Sequence, residues 1–118
     1  GKRFVITDAG MNDLLRPSHY ACYHAVEPVE SQGREHQRVD VVGPICETGD
    51  FRALDRDVEG VETGELLVLR TTGAYGFSMS STYNQRPRPA EVLVDGAEVS
   101  LVRRRETLED LVAAELDL

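Results

Sequence analysis

A chain of 118 residues, 41% hydrophobic and 29% charged, has the size and composition of one soluble globular domain. Its net charge of −8 argues against nucleic acid and anionic membrane surfaces, since either needs a basic footprint. No apolar run approaches a membrane span, no secretory leader opens the chain, and Cys22 and Cys46 make no disulfide framework, so a reduced, cytoplasmic protein is expected.

The β-branched and aromatic content of residues 3–8 predicts a buried strand, ended by Asp8-Ala9-Gly10. Residues 11–15 read as a short helix stopped at Arg16-Pro17, because the residue before proline avoids helical angles. A second strand is expected over residues 20–29. The polar stretch 31–38 reads as an exposed hairpin connection, and a third strand over 39–42 runs into Gly43-Pro44-Ile45-Cys46-Glu47-Thr48-Gly49-Asp50. In residues 51–64 acidic and apolar residues alternate up to two glycines, which reads as a loop with one inward bend.

Residues 65–70 make the clearest strand, and their continuous apolar run predicts burial on both faces. Residues 71–84, rich in Gly, Ser and Tyr, read as a functional loop with a helical turn. Arg86-Pro87-Arg88-Pro89 excludes a central strand or a helix interior. Residues 90–94 and 97–102 alternate at period two across Asp95-Gly96, a hairpin signal that calls for positive φ at both turn positions. Thr107 ahead of Leu108, Leu111, Val112 and Leu116, with Glu109 and Asp110 in the first turn, predicts a terminal helix. Six strands and that helix define a mostly-β fold over one domain, residues 1–118, without repeats or an internal linker.

Turn residues present their side chains at the surface, and Cys46 sits between a Gly-Pro and a Gly-Asp turn. The two nearby acids, Glu47 and Asp50, favour the neutral thiol, making Cys46 a poor nucleophile and a candidate proton donor. A small inert loop cysteine is the alternative. Arg16 and Tyr20 share a helical face if the turn continues past Pro17, where a guanidinium can clasp a carboxylate or phosphate and a hydroxyl adds a bond. Otherwise Arg16 lies over the core beside a packed tyrosine.

Gly73-Ala74-Tyr75-Gly76-Phe77-Ser78 allows close backbone approach, and a helix starting near Ser78 would aim N–H groups at an anion with Tyr75 at its edge. An ordinary glycine turn is the alternative. His19, His24 and His36 lack metal-ligand spacing with either cysteine, so no metal is expected, and His24 reads as a core or edge histidine. Arg103-Arg104-Arg105, followed by Glu106, Glu109 and Asp110, reads as a solvated strand end. No P-loop, dinucleotide glycine pattern or Ser-His-Asp order is present.

Four of these motifs stand in the order of one known family. Asp8-Ala9-Gly10-Met11-Asn12-Asp13-Leu14-Leu15-Arg16-Pro17, then Tyr20 and Tyr23-His24, resembles the start of the C-terminal domain of diaminopimelate decarboxylases. The stretch from Gly43 to Asp50 is similar to that family's cysteine motif. Gly73-Ala74-Tyr75-Gly76-Phe77-Ser78-Met79-Ser80-Ser81, Tyr83-Asn84 and the run from Arg86 to Val94 complete the pattern over almost the whole chain.

The resemblance implies a pyridoxal 5′-phosphate-dependent enzyme that removes one carboxyl group from meso-diaminopimelate to give L-lysine. It implies an N-terminal (β/α)8 barrel paired with a C-terminal Greek-key-like β-sandwich or barrel with short helices, as in the alanine racemase and ornithine decarboxylase group. Cys46 would then protonate the carbanion left by decarboxylation, and Glu47 would bind the distal ammonium. Arg16 and Tyr20 would bind the distal carboxylate, and Tyr75 would touch cofactor and substrate. Cys46 and Glu47 would cross a homodimer interface into the partner's active site. Cys-Glu, rather than the Cys-Asp of ornithine decarboxylases, favours diaminopimelate over a plain diamine precursor.

The one lysine, Lys2, is expected at a frayed terminus, and the Schiff-base lysine, phosphate-binding glycines and a substrate arginine would belong to the absent barrel. The chain is therefore expected to be a detached domain, inactive alone, whose partners are its own barrel, a second subunit and a small amino-acid substrate. His19 stands at a usually apolar position, and Cys22 at a small-residue position with no implied role. Two other readings stay open: a sister decarboxylase acting on carboxynorspermidine or a related amino acid, and a free-standing non-catalytic β-domain that binds or assembles.

Overall fold

The computed structural model describes residues 1–115. Its contacts divide it into two units, Gly1–Ser80 and a second that begins at Ser81. In the first unit, β3 (His36–Val42) is the central strand of a three-stranded sheet, parallel to β1 (Phe4–Ile6) and antiparallel to β4 (Phe51–Glu59). A second sheet pairs β2 (Val26–Pro28) with β5 (Leu67–Leu69), antiparallel. Both sheets contribute to one core of Val26, Val39, Val41, Ala53 and Val58, with Val5, Leu67 and Leu69 packed against it. Each fully buried valine contributes about 1.5–3 kcal/mol.

Strand β4 departs most from the sequence expectation, which placed a loop at 51–64. Charged residues hide its periodicity. Arg52, Ala53, Val58 and Glu59 are buried while Leu54, Asp55 and Asp57 are exposed. The β3–β4 register shifts between Val39 and Val41, and there the Asp40 carboxylate accepts the Asp55 N–H at 2.7 Å. Burial pushes the Asp40 carboxyl up, but the Asp55 N–H and the Lys2 ammonium, 2.6 Å away, outweigh it and hold the group below its usual range. Lys2 is thus ion-paired to β3 rather than frayed.

Apolar content overstated burial at the edges. Strand β1 has one neighbour and leaves Ile6 75% exposed, and β5 is only half-buried because it pairs with β2 alone. The expected strand over 20–29 contracts to β2. Because β2 pairs with β5 and not with β3, the stretch 31–38 is not a hairpin connection. Its form comes from the Glu59 carboxylate, which accepts the Ser31 hydroxyl (2.7 Å) and the N–H groups of Gln32 (2.7 Å) and Arg34 (3.0 Å).

The helix expected over 11–15 is a turn, and helix α1 (Arg16–Tyr20) begins where the sequence placed a stop. Pro17 lies in its first turn, where a missing N–H is tolerated and the fixed φ suits the helix. The helix closes on Ala21 at φ 53°, turning the chain back after Tyr20.

In the second unit the expected hairpin forms from β6 (Glu91–Asp95) and β7 (Glu98–Arg103), one residue out of the anticipated register. Asp95 pairs with Glu98, so the loop is Gly96-Ala97, and of these two only Gly96 has positive φ (58°). That is the position type II′ turns reserve for glycine. The 86–89 segment is neither strand nor helix, as expected. Helix α2 (Leu108–Val112) carries a capping box: Thr107 Oγ1 accepts the Asp110 N–H, and Asp110 accepts the Thr107 N–H at 2.7 Å. Leu116 lies outside the described residues. Arg104 forks onto Asp110 at 2.6 and 2.8 Å, so the basic run is solvated and partly paired. The mostly-β expectation holds, with seven strands in three sheets and no closed barrel among the described residues.

Candidate active site

Strand β3 runs into the turn that carries Cys46, and β4 leaves it. Cys46 and Glu47 are both exposed at its tip. The Thr48 hydroxyl (3.0 Å) and Gly49 N–H (3.4 Å) donate to Glu47 and hold its carboxyl below the usual range, so it stays ionised. Asp50 differs from the expected surface acid: it is 4% exposed and pairs with Arg52, itself 1% exposed, at 2.5 Å. Its charge is turned inward and compensated. The acid that flanks Cys46 at the surface is Glu47 alone.

Helix α1 sits against this turn, with Ser18 close to Gly49. A Cβ there would lie 3.6 Å from the Ser18 Cβ. Arg16 and Tyr20 do share one helical face, and they line an open cleft of about 380 Å³ together with Cys22, Tyr75 and Met79. The guanidinium carbon of Arg16 is 5.7 Å from the centre of the Tyr75 ring, a cation–π contact. His19 meets the Tyr20 ring edge-on at 4.5 Å, so this polar residue packs where an apolar one was expected. Cys22 was not anticipated as a cleft residue. Its approach depends on the left-handed Ala21, which no local sequence signal announces.

Tyr75 is 63% exposed and has φ 62°, a strained conformation for a bulky residue and one that gathers at functional sites. Gly76 behind it is required, since a Cβ would stand 2.1 Å from the Thr72 carbonyl oxygen. The helix expected near Ser78 is a single 3-10 turn, Phe77–Met79, too short to gather the dipole of an anion cradle. His24 is buried, as expected, with Nδ1–H donating to the Arg70 carbonyl at 3.1 Å. Arg56 stacks 3.9 Å over the neighbouring Tyr23 ring. Cys46 and Glu47 are not among the residues lining the Arg16 cleft.

A thiol–carboxylate turn and an arginine–tyrosine cleft stand on one small sheet unit. Residues 1–73 match the family described as pyridoxal-dependent decarboxylase, C-terminal sheet domain, and the chain belongs to that family. It is 56% identical over 117 residues to the diaminopimelate decarboxylase of Aquifex aeolicus, covering 99% of this chain and 28% of that protein. A crystal structure from Aquifex aeolicus superposes at a TM-score of 0.97 with 56% identity, covering 100% of this chain and 29% of that one. Diaminopimelate decarboxylase from Helicobacter pylori complexed with L-lysine superposes at 0.90 with 44% identity, covering 97% and 28%. The chain thus spans 28% of the length of the curated Aquifex relative.

Membership brings the pyridoxal cofactor of the family's name. The residues here fit its edge and not its anchor. Tyr75 offers an exposed ring and hydroxyl beside a cation, whereas the one lysine, Lys2, is tied to Asp40.

Proposed function

We propose that this chain is the C-terminal domain of a pyridoxal phosphate-dependent diaminopimelate decarboxylase, which converts meso-2,6-diaminopimelate to L-lysine and CO2 in cytoplasmic lysine biosynthesis. Its partners are its own N-terminal barrel and a second subunit of a homodimer. The reading is carried by Arg16, Tyr20 and Tyr75 meeting at one cleft, on a domain 56% identical to a diaminopimelate decarboxylase.

When bound, pyridoxal phosphate supplies the electron sink that lets a carboxyl group leave. This chain does the rest of its share with five side chains. Arg16 forks onto the distal carboxylate and Tyr20 adds a hydroxyl bond. Glu47, kept ionised by Thr48 and Gly49, pairs with the distal ammonium. Tyr75 borders cofactor and substrate. Cys46 Sγ holds the proton delivered to the α-carbon that has lost CO2. Two exposed residues on a rigid turn suit a site completed by a neighbouring subunit.

The test is CO2 release by the full-length chain with pyridoxal phosphate, comparing meso-diaminopimelate with carboxynorspermidine. Preferred turnover of diaminopimelate is expected, and none from the 118-residue chain alone. Preference for carboxynorspermidine would assign the sister activity, and no decarboxylation by the full-length chain would leave a binding module.

A further inference from the structure

We propose that Asp50 and Arg52 are positioning residues: one buried ion pair that sets the Cys46 turn and the Arg16–Tyr20 helix in a fixed relation. The proposal deepens the functional reading above and rests on it. The pair's further side-chain bonds go to backbone of the two segments that carry Cys46 and lead into Arg16. Asp50 Oδ2 accepts the N–H of Ile45, the residue before Cys46, at 2.6 Å. Asp50 Oδ1 accepts the N–H of Met11, at the head of the turn that leads into α1, at 2.7 Å. Arg52 Nη2 donates to the same Oδ1, and Arg52 Nη1 donates to the carbonyl of Leu14, two residues before Arg16, at 3.0 Å.

The surroundings are shaped to admit this carboxylate. A Cβ on Gly43 would stand 2.5 Å from both Asp50 oxygens and 2.7 Å from the Ala9 carbonyl oxygen. Gly43 N–H also closes the turn onto the Asp50 carbonyl at 3.0 Å. A buried ion pair is weak evidence of added stability, because desolvation offsets much of its attraction. What it does well is fix one arrangement, and the arrangement fixed here holds both halves of the proposed site. Asn at position 50 cannot substitute, since its single carbonyl oxygen cannot accept from Ile45 and Met11 on opposite sides.

The experiment uses the full-length protein with Asp50→Asn, Arg52→Lys and the neutral double variant Asp50→Asn/Arg52→Gln. Steady-state kinetics are read beside the rate at which iodoacetamide alkylates Cys46, followed by peptide mass spectrometry. Asp50→Asn is expected to lower kcat and raise KM together, each on the order of tenfold, as misplacement of reacting groups does. Cys46 alkylation should rise several-fold. Arg52→Lys leaves the Ile45 bond intact and drops the bond to Leu14, so it should raise KM while alkylation stays at the parent's rate. The double variant strands no buried charge, so if Asp50→Asn does not fold, the double variant is read in its place with the same expectation. Folded variants with a lower melting midpoint but the parent's kcat, KM and alkylation rate would overturn the proposal. A parent that turns over no diaminopimelate refutes the functional reading instead, and the alkylation rates, which need no turnover, still decide whether the pair holds the turn.

Discussion

Arg16 and Tyr75 face each other across the cleft, the guanidinium 5.7 Å from the ring centre, and among the described residues no carboxylate pairs with Arg16. A cation–π contact at an exposed site is worth about 0.5–1 kcal/mol, less than the fork a guanidinium makes on a carboxylate. The cation is therefore held in place yet open to an acidic ligand. Arg16→Lys keeps the charge and loses the fork. In the full-length enzyme it should raise KM for the substrate by about 10–100-fold, the equivalent of one charged hydrogen bond, with kcat changed far less. A fall in kcat at unchanged KM would contradict substrate binding by Arg16.

Cys46 and Glu47 lie side by side and should separate in their kinetics. Cys46→Ala should lower kcat by about 10²–10⁴-fold with a modest change in KM, as loss of a proton donor does. Glu47→Gln should act mainly on KM. Both side chains are exposed, so neither change should move the melting midpoint appreciably. Equal effects of the two on kcat would argue against the division of roles.

The candidate chemistry was legible where it depended on spacing, and the scaffold was not where it depended on compensation. Arg16 and Tyr20 could be paired from a four-residue interval, whereas Tyr75 was singled out by its flanking glycines for an anion cradle, and its place in the Arg16 cleft was not foreseen. Arg52 could not be placed: a buried arginine breaks the rule that reads charge as surface, and only Asp50, two residues earlier, makes it possible. With Glu59 also buried and Leu54 exposed, the burial pattern of β4 ran against its charge pattern and hid the strand. Cys22 was given no role because nothing in the sequence announces the left-handed Ala21 that precedes it at the cleft. At β1 and β5, apolar content was a poor guide to burial because each strand has a single neighbour.

Gly43 and Gly73 should respond oppositely to alanine. At Gly43 a methyl collides with a buried carboxylate and a backbone carbonyl, so Gly43→Ala should cost about 1–3 kcal/mol, the range for an overpacked interior. At Gly73 nothing lies within 4 Å of the added carbon, and the residue is not among those with positive φ. Gly73→Ala should be neutral or stabilising by about 0.4–1 kcal/mol, through loss of freedom in the unfolded chain. Denaturant titration of both variants checks the order. A stability at Gly43→Ala equal to the parent's would mean that Asp50 can move aside.

The Arg34–Glu65 pair predicts an acid-dependent loss of stability with a defined window. Two bonds of 2.7 Å join the guanidinium to both oxygens of Glu65, and the Glu62 N–H adds a third at 2.9 Å. Together they lower the Glu65 carboxyl from its usual 4.5 to about 2, led by the Arg34 bond. A carboxyl whose folded value is depressed stabilises above its unfolded value and loses that contribution as pH falls through the folded one. Glu65→Gln should therefore lower the melting midpoint by a constant amount near neutrality. The difference should shrink from about pH 4.5 downward and be largely gone near pH 2. Because the pair is partly solvated, added salt should narrow the neutral-pH difference as well. A difference that persists unchanged at pH 2 would show that the glutamate acts through its packing and not through its charge.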